Sequence, residues 1–185
     1  MRAFIGIALP EQVRASLREL QQELNQAGAD VKWVEPEQLH ITLKFLDEIS
    51  EEQQRQVQEA LKRITQHTPA FQVGLRELGA FPSLNDPRIM WVGVDEGRSQ
   101  VVQLAEAIEQ DSRALGLKKE DRRYSAHATI GRMRSPRGAR DFIERLHTIQ
   151  WNPPTSWQAS SITLYHSVLA SDGPTYAVLA DLPLK

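Results

Sequence analysis

The spacing of apolar and polar positions along the chain changes several times, and each change marks an element. "FIGIAL" (residues 4–9) is a short apolar run that reads as a strand. Residues 11–27 place Val13, Leu17, Leu20 and Leu24 at spacings of four, three and four, one face of an amphipathic helix. "VKWVEP" is a second strand stopped by Pro36, and "QLHITLKFL" a third. Ser50, with Gln53 three residues on, forms a capping box that opens a helix whose buried face is Val57, Leu61 and Ile64. "FQVGLRELGAF" and "RIMWVGVD" are strands separated by the turn-rich "PSLNDP".

The order then partly repeats. Residues 99–115 form a helix on Val101, Leu104, Ala105 and Ile108, with Gly116 just past its end. A basic loop leads to the strand "AHATIGRM". Ser135 and Pro136 suit the N-cap and first position of a short helix that turns Phe142 and Leu146 inward. "WQASSITLYHSVL" and "TYAVLADLPL" close the chain as strands around the turn "SDGP". This order predicts an α+β fold of two pseudo-symmetric antiparallel sheets, with helices on their outer faces and a cleft between them. No low-complexity linker divides the chain, so residues 1–185 are expected to fold as a single bilobal domain.

Two of the strands carry an unusual insertion. In "LHITLKF", His40 and Thr42 interrupt an apolar run; in "AHATIGR", His127 and Thr129 do so at the same spacing. Side chains in a strand alternate faces. His40, Thr42 and Lys44 then share one face, opposite Leu39, Ile41, Leu43 and Phe45. His127, Thr129 and Gly131 share one face, opposite Ala126, Ala128 and Ile130. Each strand therefore has an apolar back and an imidazole-plus-hydroxyl front.

Composition narrows the chemistry. The chain has no cysteine, which excludes thiolate nucleophiles, disulfides and cysteine-held metal clusters. No apolar run approaches membrane-spanning length. "MRAFIGIALPEQ" reads as a strand leading into a helix, because no small-residue cleavage site follows its apolar run, and a cytoplasmic protein is expected. The formal net charge is −2, so no global field attracts polyanions. Between Arg113 and Arg145, however, ten Lys/Arg face four Asp/Glu. Most of these read as solvated surface, with a minority left to meet a polyanion.

Two imidazoles that titrate near pH 6.5 suit general acid–base catalysis, one taking a proton from water while the other gives one to a leaving oxygen. Threonine hydroxyls can hold the nonbridging oxygens of an anion in line. Such a set fits displacement at a phosphodiester and requires neither metal nor cofactor. Neither motif has an adjacent carboxylate or an H-x-x-x-H spacing for zinc. G-x-S-x-G, G-x-G-x-x-G and P-loop patterns are all missing. His67 and His147 fall near helix C-termini, where the dipole favours positive charge, and His166 lies in a late strand.

The tetrads "HITL" and "HATI" resemble those of the two-histidine phosphoesterases. With "MRAFIGIALP", "VKWVEPEQLHITLKFLDE", "LGAFPSLNDPRIMWVGV", "YSAHATIGR" and "SDGPTYAVL", the chain is similar to the RNA 2′,3′-cyclic phosphodiesterases, also called 2′-5′ RNA ligases, over nearly its whole length. The resemblance implies a bilobal fold with a V-shaped cleft and metal-independent hydrolysis of RNA 2′,3′-cyclic phosphate ends to 2′-phosphates, with reverse 2′-5′ ligation. It implies His40 as proton donor, His127 as proton acceptor, Thr42 and Thr129 as phosphate ligands, and no cofactor. RNA ends, those of tRNA fragments included, are the implied partners of a monomeric protein. Arg132 follows the second tetrad as in relatives and would contact phosphate, although strict alternation puts it behind the sheet unless a bulge intervenes. Tyr124 and Phe45 are candidates to stack on a base, Phe45 against its place on the apolar face. The alternatives are the same chemistry on small cyclic nucleotides or 2′-5′ oligonucleotides, and a non-catalytic RNA-end binder.

Overall fold

The computed structural model describes residues 1–152 and 155–185. In chain order it contains β1 (Arg2–Ala8), α1 (Glu11–Asn25), β2 (Val31–Trp33), a 3-10 turn (Pro36–Gln38), β3 (His40–Glu48), α2 (Glu51–Gln66), β4 (Phe71–Ser83), β5 (Asp86–Val94), α3 (Arg98–Ala114), β6 (His127–Met133), α4 (Ala139–Thr148), β7 (Ser156–Ala159), β8 (Ser161–Ala170) and β9 (Gly173–Pro183). The fold is α+β, as the sequence predicts. The strands pair antiparallel in the order β7-β4-β5-β6-β3-β1-β8-β9, with β2 alongside β6. A half of five strands, β2 included, meets a half of four where β3 lies beside β6, at the pair Ile41–Ala128.

Neither half is a contiguous stretch of chain. The sequence reads "WQASSITLYHSVL" as one strand, but the structure breaks it at Ser160. β7 pairs with β4 in one half, and β8 pairs with β1 in the other. Both pieces have strand-like apolar spacing, so the pattern alone does not show that the chain changes partners. α2 and α3 cover the half that holds β3, β8 and β9, while α1 lies behind β6 and packs against α4. Leu17, Leu20, Leu24, Ile41, Ile108, Ile130 and Phe142 are fully buried between the helices and the backs of the strands. Burial of each such side chain is worth roughly 1.5–3 kcal/mol, which drives the packing of both layers.

The capping box at Ser50 and Gln53 forms with both of its reciprocal hydrogen bonds. Ser135 and Pro136 do not start a helix. Ser135 donates to Asp30 at 2.7 Å, and α4 begins only after Gly138, which caps it in the left-handed conformation. A β-carbon on Gly138 would sit 2.9 Å from Ala29 Cα, so the close approach of two loops delays the helix. Among the described residues no helix is long and apolar enough to cross a membrane.

β3 and β6 each carry a bulge at the same place in their tetrads. The β1–β3 register steps from Ile5–Lys44 to Gly6–Thr42, leaving Leu43 as an extra residue. The β5–β6 register steps from Met90–Gly131 to Trp91–Thr129, leaving Ile130 extra. One inserted residue reverses the alternation beyond it. Lys44, expected on the front, is therefore buried at the back, 2.5 Å from Glu109 on α3 and 3.0 Å from the Lys118 carbonyl. Phe45, expected in the core, faces forward and is 63% exposed. The second bulge turns Gly131 inward, where a β-carbon would meet the Trp33 ring at 2.8 Å, and brings Arg132 to the front.

The tip of the β8–β9 hairpin reaches the opposite half. Lys32 on β2 donates to the Asp172 carbonyl at 2.9 Å, and the Gln38 amide donates to the Pro174 carbonyl. The Lys32 bond spans the boundary between the halves, so the sheet is curled and its two fronts face one another across a trough.

Candidate active site

β3 and β6 position the site. Ile41 and Ala128 are directly opposed, and both are completely buried at the back. Continuing the antiparallel register by one residue either way sets His40 beside Thr129 and Thr42 beside His127. The four side chains form a square on the front face, related by an approximate two-fold axis through the Ile41–Ala128 pair. The sequence pattern predicts two pairs; the single bridge between strands merges them into one site.

Both imidazoles are held in the same way. His40 Nδ1–H donates to the Gln38 carbonyl at 2.6 Å, and His127 Nδ1–H donates to the Ser125 carbonyl at 2.7 Å. Because a carbonyl only accepts, each ring keeps its proton on Nδ1 and presents Nε2 to the trough. His40 Nε2 lies 2.8 Å from Thr42 Oγ1, while His127 Nε2 has no hydrogen-bond partner among the described residues. The two motifs thus differ in one respect: the first ring shares its nitrogen with its own threonine, and the second leaves it open.

The ring of His40 leans over Gly6, where a β-carbon would stand 3.3 Å from Cδ2 and 2.9 Å from the Ile41 carbonyl oxygen. It packs against Phe4, 4.8 Å between centroids, and edge-on against Tyr176 at 5.6 Å. His127 rests on Phe81 and Trp91 at 5.2 and 5.8 Å. This apolar seating has an electrostatic consequence. Burial pushes the pKa of both imidazoles below 6.5, outweighing the carbonyl acceptors that favour protonation, and the neighbouring His127 lowers His40 further.

Arg132 stands on the same face, delivered by the Ile130 bulge, near enough to Tyr176 for its charge to act on that hydroxyl. Tyr124 does something other than stack. It is largely buried, burial holds its hydroxyl protonated, and that hydroxyl donates to the Thr42 carbonyl at 2.7 Å, next to the Leu43 bulge. A side chain from the loop before β6 therefore braces the backbone of the first motif. Phe45 is free to stack, and packs at 5.9 Å on Phe4.

The remainder of the basic segment is solvated or paired. Lys118 meets Asp47, Arg113 meets Glu109, Arg137 meets Asp30 and Arg145 meets Glu23. Sequence reasoning missed the carbonyls of Gln38 and Ser125, the space at Gly6, the brace from Tyr124 and the aromatic seats. Only the position two before each histidine is a signal a reader of the sequence could have used, since backbone acceptors leave no trace in residue type. Among the described residues no three His, Cys, Asp or Glu side chains are grouped to hold a metal ion. Two imidazoles that present Nε2 to the front, one open and one shared with a threonine, together with two hydroxyls and a guanidinium on the same face, can carry paired proton transfers at an anion.

Comparison with known proteins points the same way. The model of the LigT-like phosphoesterases matches residues 7–91 and 92–176, one H-x-T pair in each stretch. An RNA 2′,3′-cyclic phosphodiesterase of Methanothermobacter thermautotrophicus is 31% identical over 176 residues, covering 95% of each chain. A crystal structure from Thermus thermophilus superposes with a TM-score of 0.82 at 27% identity, covering 100% of this chain and 98% of the other. A crystal structure of E. coli LigT complexed with 3′-AMP has a TM-score of 0.79 at 25% identity, covering 99% and 97%.

Proposed function

We propose, from the premise that the chain belongs to the LigT-like phosphoesterase family, that it is an RNA 2′,3′-cyclic phosphodiesterase acting as one bilobal domain in the cytoplasm. The observation that carries the reading is the register at Ile41–Ala128, which converges both imidazoles and both hydroxyls on one face. The curated relative of the same name and the 3′-AMP held by E. coli LigT support the substrate class. His127, with its open Nε2, takes a proton from water as the water oxygen bonds to phosphorus. The bond from phosphorus to O3′ breaks, and His40 Nε2–H gives its proton to that oxygen. The product carries a 2′-phosphate and a 3′-hydroxyl. Thr42, Thr129 and Arg132 bind the nonbridging oxygens, whose charge is most concentrated in the transition state. Phe45 stacks on the terminal base. With an RNA 5′-hydroxyl in place of water, the same two transfers join a 2′-5′ bond.

The direct test incubates the protein with an oligonucleotide ending in a 2′,3′-cyclic phosphate, in excess chelator, and follows phosphorus NMR. The expected product is the 2′-monoester at an undiminished rate. Activity lost in chelator and restored by zinc, or a 3′-monoester product, overturns the mechanism.

The pH profile supplies a second check. The acid must be protonated, and its pKa lies below 6.5, so activity falls as pH rises through that value. The base must be neutral, and its pKa also lies below 6.5, so activity rises with pH through that value. The profile of kcat/KM, which reports the free enzyme, is therefore expected to peak on the acid side of 6.5, with two apparent pKa values that belong to the pair. An optimum above pH 7.5 contradicts this arrangement.

A further inference from the structure

We propose that the open face of the β3-β1-β8-β9 half binds the nucleotides preceding the terminal one, so that single-stranded RNA, and not a free cyclic mononucleotide, is the preferred substrate. This rests on the phosphodiesterase reading above and extends it away from the reacting phosphate. The acid must touch O3′, which belongs to the ribose, whereas the attacking water stands on the opposite side of phosphorus. With His40 as the acid, the nucleoside lies over the half that carries β3. The rest of the strand, joined through the 5′ oxygen of that ribose, leaves over the same surface.

That surface is built in rows. The registers place Phe45, Phe4, Tyr165 and Val178 side by side on β3, β1, β8 and β9, all on the front. Strands lie about 4.8 Å apart, so the row extends roughly 14 Å from the tetrad strand. Phe4 is its buried floor, stacked on Tyr165 at 4.8 Å, and Val178 at its far end is 62% exposed. An apolar side chain so placed on the front of an edge strand contributes nothing to the core. Beyond this row, Arg2 faces forward on β1, exposed and without an ion pair among the described residues, and Tyr176 faces forward on β9. Tyr176 lies within the fields of both Arg2 and Arg132. The nearby carboxylates are engaged: Asp181 accepts from Thr163 at 2.9 Å, and Glu48 lies 3.1 Å from the terminal amine. Aromatic and apolar platforms bordered by the guanidiniums of Arg2 and Arg132, neither in an ion pair among the described residues, match a strand of bases and phosphates.

The test compares kcat/KM for a 2′,3′-cyclic mononucleotide and for a tetranucleotide ending in the same cyclic nucleotide. Wild type is expected to favour the tetranucleotide by about 5- to 150-fold, the worth of one base stacked on an aromatic side chain. Val178→Asp and Arg2→Gln should each remove most of that preference while leaving the mononucleotide within about two-fold. Arg2→Gln should also reduce the salt slope for the tetranucleotide by roughly 0.7, one single-strand phosphate contact. Both positions are exposed, and an unchanged thermal midpoint checks the fold. Equal kcat/KM for the two substrates in wild type overturns the proposal and leaves the phosphodiesterase reading intact. So does a fall of the same size on both substrates in the variants. Turnover of neither substrate by folded wild type removes the phosphodiesterase reading itself, and this proposal with it.

Discussion

Alanine at His40 or at His127 is expected to lower turnover of a cyclic-phosphate-ended oligonucleotide by about 10²–10⁴, the range for a general acid or base. A substrate with sulfur in place of O3′ should separate the two. An alkoxide is a poor leaving group and requires a proton; a thiolate, whose conjugate thiol has a pKa near 8.5, departs without one. The acid then becomes dispensable, while the base that activates water does not. The sulfur substrate should restore His40→Ala to within about ten-fold of wild type on the same substrate, and His127→Ala hardly at all. The hydrogen bonds favour this assignment, since His127 keeps an open Nε2 lone pair and His40 Nε2 is shared with Thr42. Rescue of His127→Ala alone reverses the roles. Failure to rescue either means that the imidazoles act by stabilising charge on the phosphate. Both variants should fold, because both rings are only partly buried, at the front of the sheet and outside its core.

Arg132→Gln should lower kcat by about 10²–10³, with a smaller change in KM, as for loss of a donor aimed at transition-state charge. The argument is one of position. The Ile130 bulge places the guanidinium on the same face as both histidines, where a flat strand would have hidden it. Arg132→Lys keeps the charge and loses the fork, and should recover only part of the rate. Lys44→Gln should not imitate these losses through phosphate binding, since that ammonium is committed to Glu109 behind the sheet. Unchanged kcat in Arg132→Gln removes the residue from the mechanism.

Much of the fold can be read from the chain. α1, α2 and α3 follow the three-and-four spacing of their leucines, isoleucines and valines, because a helix face must bury a continuous stripe. The tetrads are legible because His40, Thr42, His127 and Thr129 stand on period two in otherwise apolar runs. Less legible are residues whose place depends on a non-local partner. Gly138 delays α4 because Ala29 approaches it, and Ser135 turns to Asp30. Ser160 hands the chain from β4's half of the sheet to β1's.

The sequence alone determined the α+β class, the helices with their buried faces, and two histidine–threonine pairs, each on the polar side of a strand. Those depend on local periodicity, which a linear reading preserves. The tertiary structure decided which strands would be neighbours, and so made one site from two motifs at the Ile41–Ala128 bridge. It also decided what lies beyond each tetrad, sending Lys44 inward to Glu109 and turning Phe45 and Arg132 toward the trough. The reason is that side-chain direction in a strand holds only while the ladder advances one residue for one. A bulge is set by the partner strand's register, and Leu43 and Ile130 are bulged because of how β1 and β5 run past them, which no spacing within their own tetrads records.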